Sequence, residues 1–196
     1  MISLGLTGGF GTGKSTVLSM FSSCGAHILS SDEIVHEQLS TNQNLKKKIV
    51  GLFSTGVLNK GKIDRPRLAH AAFCDQKALG KLNLLLHPLV KNEIVKFLKK
   101  IKKTDKDAVA VVEVPLLFEV GFEKLFDSTV VVDAAPAVQK KRMLKSGRFD
   151  KKDLEIRMRF QMPLAAKIKA CDYVIDNSHD KEKTFKQVKQ LVELLG

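Results

Sequence analysis

Five short apolar runs are spaced along the chain, and segments with helical periodicity separate each run from the next. The runs are almost continuously apolar, which is typical of parallel strands buried on both faces. Parallel strands need crossover connections, so helices are expected on both sides of the sheet. The pattern therefore predicts a three-layer α/β fold around a five-stranded parallel sheet. The predicted strands cover residues 2–7, 26–29, 108–114, 128–133 and 173–176.

The interval between the second and third strands, residues 41–107, is too long for a simple crossover. Its apolar residues recur at helical spacing, and a turn is indicated at residues 56–62. Pro88 lacks a backbone N–H and disfavours helical conformation at His87, so we expect a helix break there. We interpret this interval as a helical insertion that binds a substrate. The predicted helices cover residues 67–73, the residues leading up to 86, and residues 89–103.

Residues 8–15, Gly-Gly-Phe-Gly-Thr-Gly-Lys-Ser, match the phosphate-binding pattern G-x-x-x-x-G-K-[S/T] between the first strand and a helix. Glycines let successive backbone N–H groups converge on phosphate oxygens, and the helix N-terminus adds partial positive charge. Lys14 then spans the β- and γ-phosphates, and the Ser15 hydroxyl ligates Mg²⁺. The motif predicts binding of a nucleoside triphosphate with magnesium. The expected contacts are Gly8, Gly9, Gly11, Thr12, Gly13, Lys14, Ser15 and Thr16.

A second insertion-like segment, residues 136–169, separates the fourth and fifth strands and is rich in arginine. It is either a solvated pair of amphipathic helices or a lid whose guanidinium groups close over transferring phosphates. On the lid interpretation the chain is a single domain with three parts. They are a nucleotide-binding core of residues 1–40, 108–135 and 170–196, the helical insertion 41–107, and the lid 136–169.

The formal net charge of +12 raises the possibility of a nucleic-acid-binding protein. The lysines concentrate, however, where they interleave with apolar residues at helical spacing, as in residues 91–106. Solvated helix faces explain that arrangement better, and the same positive field attracts anionic nucleotides. We therefore expect small-molecule substrates, with neither nucleic acid nor a membrane as a partner.

Two further features of the sequence indicate the cellular compartment of the protein. No apolar run reaches about 18 residues, and the first residues lack the cationic start and apolar stretch of a signal peptide. Cys24, Cys74 and Cys171 are far apart and odd in number, which argues against a disulfide framework and a zinc site. We expect a cytoplasmic protein with reduced thiols, and a monomer in preference to an oligomer.

Two carboxylates follow predicted strands at the sheet edge where ligands of such folds collect. Asp32 comes just after the second strand, where a carboxylate orients an acceptor hydroxyl, holds a magnesium-bound water, or caps the next helix. Glu113 ends the third strand, so it either reaches magnesium through a bound water or is an ordinary acid at a helix start. His87 either caps a helix or contacts an anionic substrate. The residues alone leave these alternatives open.

Further short motifs occur in order along the chain. They are Ser31-Asp32, Ile63-Asp64-Arg65, Leu86-His87-Pro88, Pro115-Leu116-Leu117-Phe118-Glu119, Gln161-Met162-Pro163-Leu164 and Asp172-Tyr173-Val174-Ile175-Asp176-Asn177. Together with the phosphate-binding loop, they resemble the dephospho-coenzyme A kinase family over essentially the full length of the chain. The resemblance implies ATP-dependent phosphorylation of the ribose 3′-hydroxyl of dephospho-CoA. That reaction is the last step of coenzyme A biosynthesis, and the implied fold is that of phosphate-loop kinases.

The resemblance also implies roles for individual residues. Asp32 matches the second acid of the family's Asp-x-Asp and inherits the role of catalytic base, whereas the first acid is Ser30 in this chain. Arg65 and His87 match positions that face the acceptor, so the helical insertion becomes an acceptor subdomain. Asn177, in the last motif, is expected to contact the nucleotide.

Arginines of the lid are the remaining catalytic candidates. Arg142 and Arg157 match lid positions of the family and are expected to act together with Lys14. The family usually has another arginine where this chain has Ser146, and Arg148 is a candidate substitute for it.

Two other functions remain open at this point. One is a nucleoside or nucleotide monophosphate kinase, which would share the loop and the lid. The other is a basic nucleic-acid-binding protein with a phosphate-binding loop. A regulatory GTPase is disfavoured, because the sequence lacks the Asn-Lys-x-Asp motif that recognises guanine.

Overall fold

The computed structural model of the chain describes residues 1–146 and 158–195. The chain is divided into two compact units. The core unit comprises Met1–Ser31 and Ile94–Gly196, and the helical unit comprises Asp32–Glu93. The further assignment of an acceptor subdomain at residues 41–107 and a lid at residues 136–169 stays a prediction about function.

One parallel sheet of five strands is the framework of the core unit. Its strands are β1 (Ile2–Gly8), β2 (His27–Ser30), β5 (Val109–Glu113), β6 (Ser128–Asp133) and β7 (Tyr173–Asp176). Their order across the sheet is β2, β5, β1, β6, β7, so β1 is central and is buried from Ser3 to Gly8. The predicted five-stranded parallel sheet is confirmed.

Helices pack on both faces of this sheet, as the alternation along β5 shows. Val109 and Val111 belong to an apolar cluster that contains Phe21 and Val188. Ala110, which points to the opposite face, packs with Ile101. Residues 1–146 and 158–195 contain no helix long and apolar enough to cross a membrane. Among the residues that the structure describes, the α-helices of the core unit include α1 (Lys14–Ser23), the end of α5 (Gln76–Thr104), α6 (Pro136–Ser146), α7 (Leu164–Ala170) and α8 (Lys181–Leu195).

Two aspartates link neighbouring strands by hydrogen bonds near the amino-terminal ends of the strands. Asp127, which directly precedes β6, accepts hydrogen bonds from the backbone N–H and the hydroxyl of Ser3 on β1, at 2.8 and 2.6 Å. Asp172, which directly precedes β7, accepts from the N–H and hydroxyl of Thr129 on β6, both at 2.8 Å. The same side-chain clasp therefore helps to set the register of two successive strand pairs.

The helical unit contains three helices, α2 (Ser31–Thr41), α3 (Gln43–Phe53) and α4 (Arg65–Cys74), together with most of α5. The predicted turn at residues 56–62 is a short hairpin, in which β3 (Leu58–Asn59) pairs antiparallel with β4 (Lys62–Ile63). Lys60 and Gly61 form its two-residue loop, and both have positive φ, at 46° and 76°. That combination is typical of the tightest hairpin loops.

The predicted helix break at His87-Pro88 is wrong, because α5 continues through Pro88. Pro88 is exposed. Because proline has no backbone N–H, the helix lacks the hydrogen bond that residue 88 would donate to the carbonyl of Leu84. Leu84 is itself 76% exposed, so the missing hydrogen bond lies on the solvent-facing side of the helix. Leu82 and Val90 are buried on either side of the proline. Their burial holds the two halves in one helix against a local penalty of about 3 kcal/mol.

The Asp127 clasp predicts a specific pH dependence of stability. The hydrogen bond from the Ser3 hydroxyl lowers the pKa of Asp127 below its usual value. A lowered folded-state pKa stabilises the fold above about pH 4, and the contribution is lost as the pH falls through the folded-state value. Asp127→Ala should cost about 1 kcal/mol at pH 7 and less in strong acid. Urea unfolding at both pH values measures this.

Asp107→Ala is the matched control, since Asp107 is an exposed carboxylate in a loop of the same unit. It should change the free energy of unfolding by less than about 0.5 kcal/mol. Equal losses for Asp127→Ala at pH 7 and in strong acid would show that the clasp does not depend on the carboxylate charge.

Candidate active site

The phosphate-binding loop joins the end of β1 to the start of α1. Its backbone turns through positive φ at Gly8, Gly11 and Gly13, at 153°, 72° and 89°. Only glycine adopts such angles without strain. No side chain caps the N-terminus of α1, so the N–H groups of its first turn are available to an anion. The loop therefore has the form that the sequence predicted for it.

Close packing around the loop makes glycine necessary for a second reason. A Cβ at Gly8 would lie 2.5 Å from the carbonyl oxygen of Val132, and a Cβ at Gly13 would overlap Nδ2 of Asn177. The loop is thus pressed between β6 and the residue that follows β7. Any side chain at these two positions would displace the groups that hold the loop.

Asn177 and Arg142 support the loop through one backbone carbonyl. Nδ2 of Asn177 donates to the carbonyl oxygen of Thr12 at 2.7 Å, and Nη1 of Arg142 donates to the same oxygen at 3.2 Å. Nη2 of Arg142 also donates to the carbonyl of Asn177 at 2.9 Å, and the hydroxyl of Thr184 donates to Oδ1 of Asn177 at 3.0 Å. Asn177 therefore contacts the loop backbone, and Arg142 lies beside the loop on α6.

A cavity of about 250 Å³ opens at the loop. Its lining combines cations, an acid and backbone amides, so it suits a bound polyphosphate with an associated metal ion. The Lys14 ammonium donates to the carbonyls of Gly8 and Gly9 at 3.2 and 2.9 Å. The lining residues are Gly11, Gly13, Lys14, Ser15, Glu113, Arg142 and Met143.

Oxygen donors in this cavity fit magnesium. Ser15 presents its hydroxyl at the start of α1, and the buried carboxylate of Glu113 lines the same space. Within residues 1–146 and 158–195, no group of three His, Cys, Asp or Glu side chains could hold a metal alone. A Mg²⁺ ion that keeps several waters and is held mainly by phosphate oxygens needs only such sparse protein ligands.

Three predicted acceptor residues lie in the helical unit. Helix α2 begins at Ser31, so Asp32 lies within its first turn and not at the N-cap position, and the capping alternative is wrong. Nη1 of Arg65 lies 3.3 Å from Nδ1 of His36. Burial lowers the pKa of His87 below its usual value of 6.5, so its ring is neutral at pH 7.

The remaining predicted residues divide into two groups. Thr16 is exposed on the first turn of α1, next to Ser15. Arg148 and Arg157 lie outside the described residues.

One polar pair near the loop was missed from the sequence. Lys167 is fully buried, and its ammonium lies 2.9 Å from Oε1 of Glu119. Lys167 was assigned no role from the sequence. The sequence does contain an indication of its burial, because Lys167 lies at helical spacing on one face with Leu164, Ile168 and Cys171. A lysine in an apolar stripe indicates a buried, paired charge.

Comparisons with known proteins agree with this geometry. The family described as dephospho-CoA kinase matches residues 2–183 of the chain. A dephospho-CoA kinase from Aquifex aeolicus is 39% identical, over 98% of this chain and 96% of the relative. One from Lactobacillus johnsonii is 37% identical, over 98% of each. The chain belongs to the dephospho-CoA kinase family.

Solved structures support the same assignment. A Thermus thermophilus structure superposes with a TM-score of 0.82 at 28% identity, covering 100% of this chain and 98% of the other. A dephospho-CoA kinase from Campylobacter jejuni gives 0.72 at 26% identity, covering 97% and 95%. A shikimate kinase from Bacteroides thetaiotaomicron, at 15% identity, covers 99% and 98% with a TM-score of 0.52 and shows the fold alone. The predicted fold of the phosphate-loop kinase type is confirmed for this chain.

Two glycines that flank α1, Gly13 before it and Gly25 after it, provide a sharp test of the loop. Gly13 and Gly25 have nearly the same φ, 89° and 88°, but a Cβ at Gly25 would meet nothing within 4 Å. Both alanine variants should incur backbone strain of about 1–2 kcal/mol. Only Gly13→Ala should also displace Asn177, so only this variant should weaken ATP binding, by at least about tenfold. Calorimetric titration with ATP measures the affinity, and thermal melting measures the strain. Equal ATP affinities for the two variants would contradict the role of the close packing.

Proposed function

We propose that this chain transfers the γ-phosphoryl group of ATP to the ribose 3′-hydroxyl of dephospho-CoA. The observation that carries this proposal is the cavity at the phosphate-binding loop, lined by Lys14, Arg142 and Glu113, in a chain of the dephospho-CoA kinase family. The loop provides the site for the polyphosphate, and the family supplies the acceptor. We expect the protein to act as a cytoplasmic monomer.

ATP binding would use the backbone first. The amides of the loop and the N-terminus of α1 would face the phosphates, and the hydrogen bonds to the carbonyl of Thr12 hold the loop in place for them. The Lys14 ammonium, which now bonds to the loop carbonyls, would turn to the β- and γ-oxygens. The Ser15 hydroxyl would ligate Mg²⁺, and Glu113 would reach the ion through a bound water. A magnesium ion held there would supply charge neutralisation of the phosphates.

Charge stabilisation during transfer would fall to cations already fixed at the loop. Arg142 is held by two backbone carbonyls, and it is one of the residues that line the cavity. Such preorganised donors are most effective where charge develops in the transition state. Arg157 is proposed as a second lid arginine, and Arg148 as the substitute for the one absent at Ser146.

Alignment of the acceptor is assigned to the helical unit. Asp32 is exposed in the first turn of α2, where its carboxylate is available to orient the 3′-hydroxyl and accept its proton late in transfer. Arg65 would bind an anionic group of dephospho-CoA, and the neutral His87 would contact the acceptor by hydrogen bonding. Holding the two substrates in line supplies much of the catalysis in phosphoryl transfer.

A coupled assay for ADP release tests the proposed function directly. ADP release should depend on dephospho-CoA, and kcat/KM should exceed that for AMP or adenosine by at least about a hundredfold. Contacts remote from the hydroxyl help to position an extended acceptor, which raises the rate of transfer. Comparable rates with AMP would instead support a nucleotide monophosphate kinase.

Asp32 can be tested against its neighbour. Asp32→Asn and Glu33→Gln each remove one exposed carboxylate from the first turn of α2. Both should cost the same few tenths of a kcal/mol of charge–dipole interaction. Only Asp32→Asn should lower kcat, by about 10²–10⁴-fold, because it cannot accept the proton. Steady-state kinetics and melting of both variants separate these effects, and full activity of Asp32→Asn would remove the base assignment.

Arg142 can be tested by a change that keeps its charge. Arg142→Lys loses the planar fork that bonds to two carbonyls, so kcat should fall about tenfold or more with little loss of stability. Arg67→Lys is the control, since Arg67 also donates to a backbone carbonyl, that of Leu58 at 3.1 Å, in the helical unit. A similar kcat for both variants would show that Arg142 is structural.

A further inference from the structure

Lys167 is a fully buried cation close to Thr7, the residue directly before the phosphate-binding loop. Its side chain has 0% exposure, and its ammonium makes an ion pair of 2.9 Å with Oε1 of Glu119. The same ammonium donates to the carbonyl of Pro115 at 2.8 Å and approaches the hydroxyl of Thr7 at 3.5 Å. Three segments that are far apart in the sequence therefore meet at one positive charge.

Glu119 also contacts the backbone of Met162. Its Oε1 also accepts a hydrogen bond from the backbone N–H of Met162, at 2.7 Å. Its Oε2 is buried and receives no hydrogen bond from the residues that the structure describes. The motifs Pro115–Glu119 and 161–164, to which the proposed mechanism assigns no step, are thus joined to each other by this pair.

A buried ion pair is an expensive way to hold a fold together. Desolvation of two charges often exceeds their attraction, and apolar side chains of similar volume usually stabilise a protein equally well or better. The incompletely satisfied Oε2 of Glu119 adds to that cost. What a buried pair provides is a defined geometry, since a charge tolerates few arrangements of its partners.

The geometry that this pair defines is that of the phosphate-binding loop. Thr7 is the residue directly before Gly8, and its hydroxyl donates to the carbonyl of Pro115 at 3.2 Å. Leu164, in the first turn of α7 ahead of Lys167, has its Cδ2 3.5 Å from the position that a Cβ of Gly9 would occupy. Gly8 and Gly9 are also the two residues whose carbonyls hold the Lys14 ammonium.

We infer that Lys167 and Glu119 are positioning residues, which fix the start of the phosphate-binding loop and through it the catalytic Lys14. This inference rests on the proposed function. It assigns the pair no contact with either substrate. Displacement of reacting groups by about 1 Å is enough to slow a reaction about a hundredfold, so a small shift of the loop is sufficient to matter.

The test replaces the pair by apolar residues of similar length. Lys167→Met alone leaves the Glu119 carboxylate buried and unpaired, so its melting temperature should fall steeply. Adding Glu119→Met should recover most of that loss. The double variant should nevertheless show a kcat at least tenfold below wild type and an ATP affinity at least fivefold weaker, with the KM for dephospho-CoA within about threefold of wild type.

A purely structural pair would give a different result. The folded double variant would then keep the kcat and the ATP affinity of the wild type, which would overturn the inference. If the double variant does not fold, Thr7→Val decides, because it removes only the hydroxyl between Lys167 and Pro115. A threefold or larger fall in kcat supports the positioning role, and an unchanged kcat overturns it.

Asp127→Ala is the control for general weakening of β1, since the Asp127 clasp lies at the opposite end of that strand. It should lower the melting temperature without changing kcat. An equal fall in kcat for this control would show that activity only follows the stability of β1, and the inference would fail. Wild-type ADP release with dephospho-CoA tests the proposed function separately. If the wild type is inactive with that acceptor, calorimetric ATP affinity still decides the role of the pair.

Discussion

The orientation of the backbone around Thr12 is the constraint on which the candidate site depends. A loop that turns its amides toward bound phosphates must turn some of its carbonyls toward the protein, where they need donors. The carbonyl of Thr12 receives two, from Asn177 and from Arg142. Asn177 follows the edge strand β7, and Arg142 lies on α6. The loop therefore has this conformation only when the surrounding sheet and helix are in place.

Charge is distributed around the loop in a way that follows from this constraint. Lys14 and Arg142 line the cavity together with Glu113, so a polyphosphate bound there would meet two cations and one acid. Lys167 is also close to the loop, but its ammonium is paired with Glu119 and fully buried. The charge of Lys167 is therefore balanced inside the protein by Glu119. Lys14 and Arg142 are the cations that line the cavity.

Several features followed from the sequence because they depend on local chemistry. The continuous apolar runs predicted the five strands, and the run of glycines ending in Lys14 and Ser15 predicted a loop before a helix. The β3–β4 hairpin was missed, since strands of two residues leave no periodicity to detect. The break at Pro88 was wrong, because burial on both sides of a proline outweighs its local preference.

The sequence by itself determined the fold class, the phosphate-binding loop and membership of the dephospho-CoA kinase family, since each is written in contiguous motifs and spacing. Only the tertiary structure decided which distant side chains meet. The pairing of Lys167 with Glu119 spans 48 positions, and the bonds from Asn177 and Arg142 to Thr12 span 165 and 130. Such contacts arise when crossover connections bring separate strands and helices together, and their partners are not encoded in any local pattern of residues.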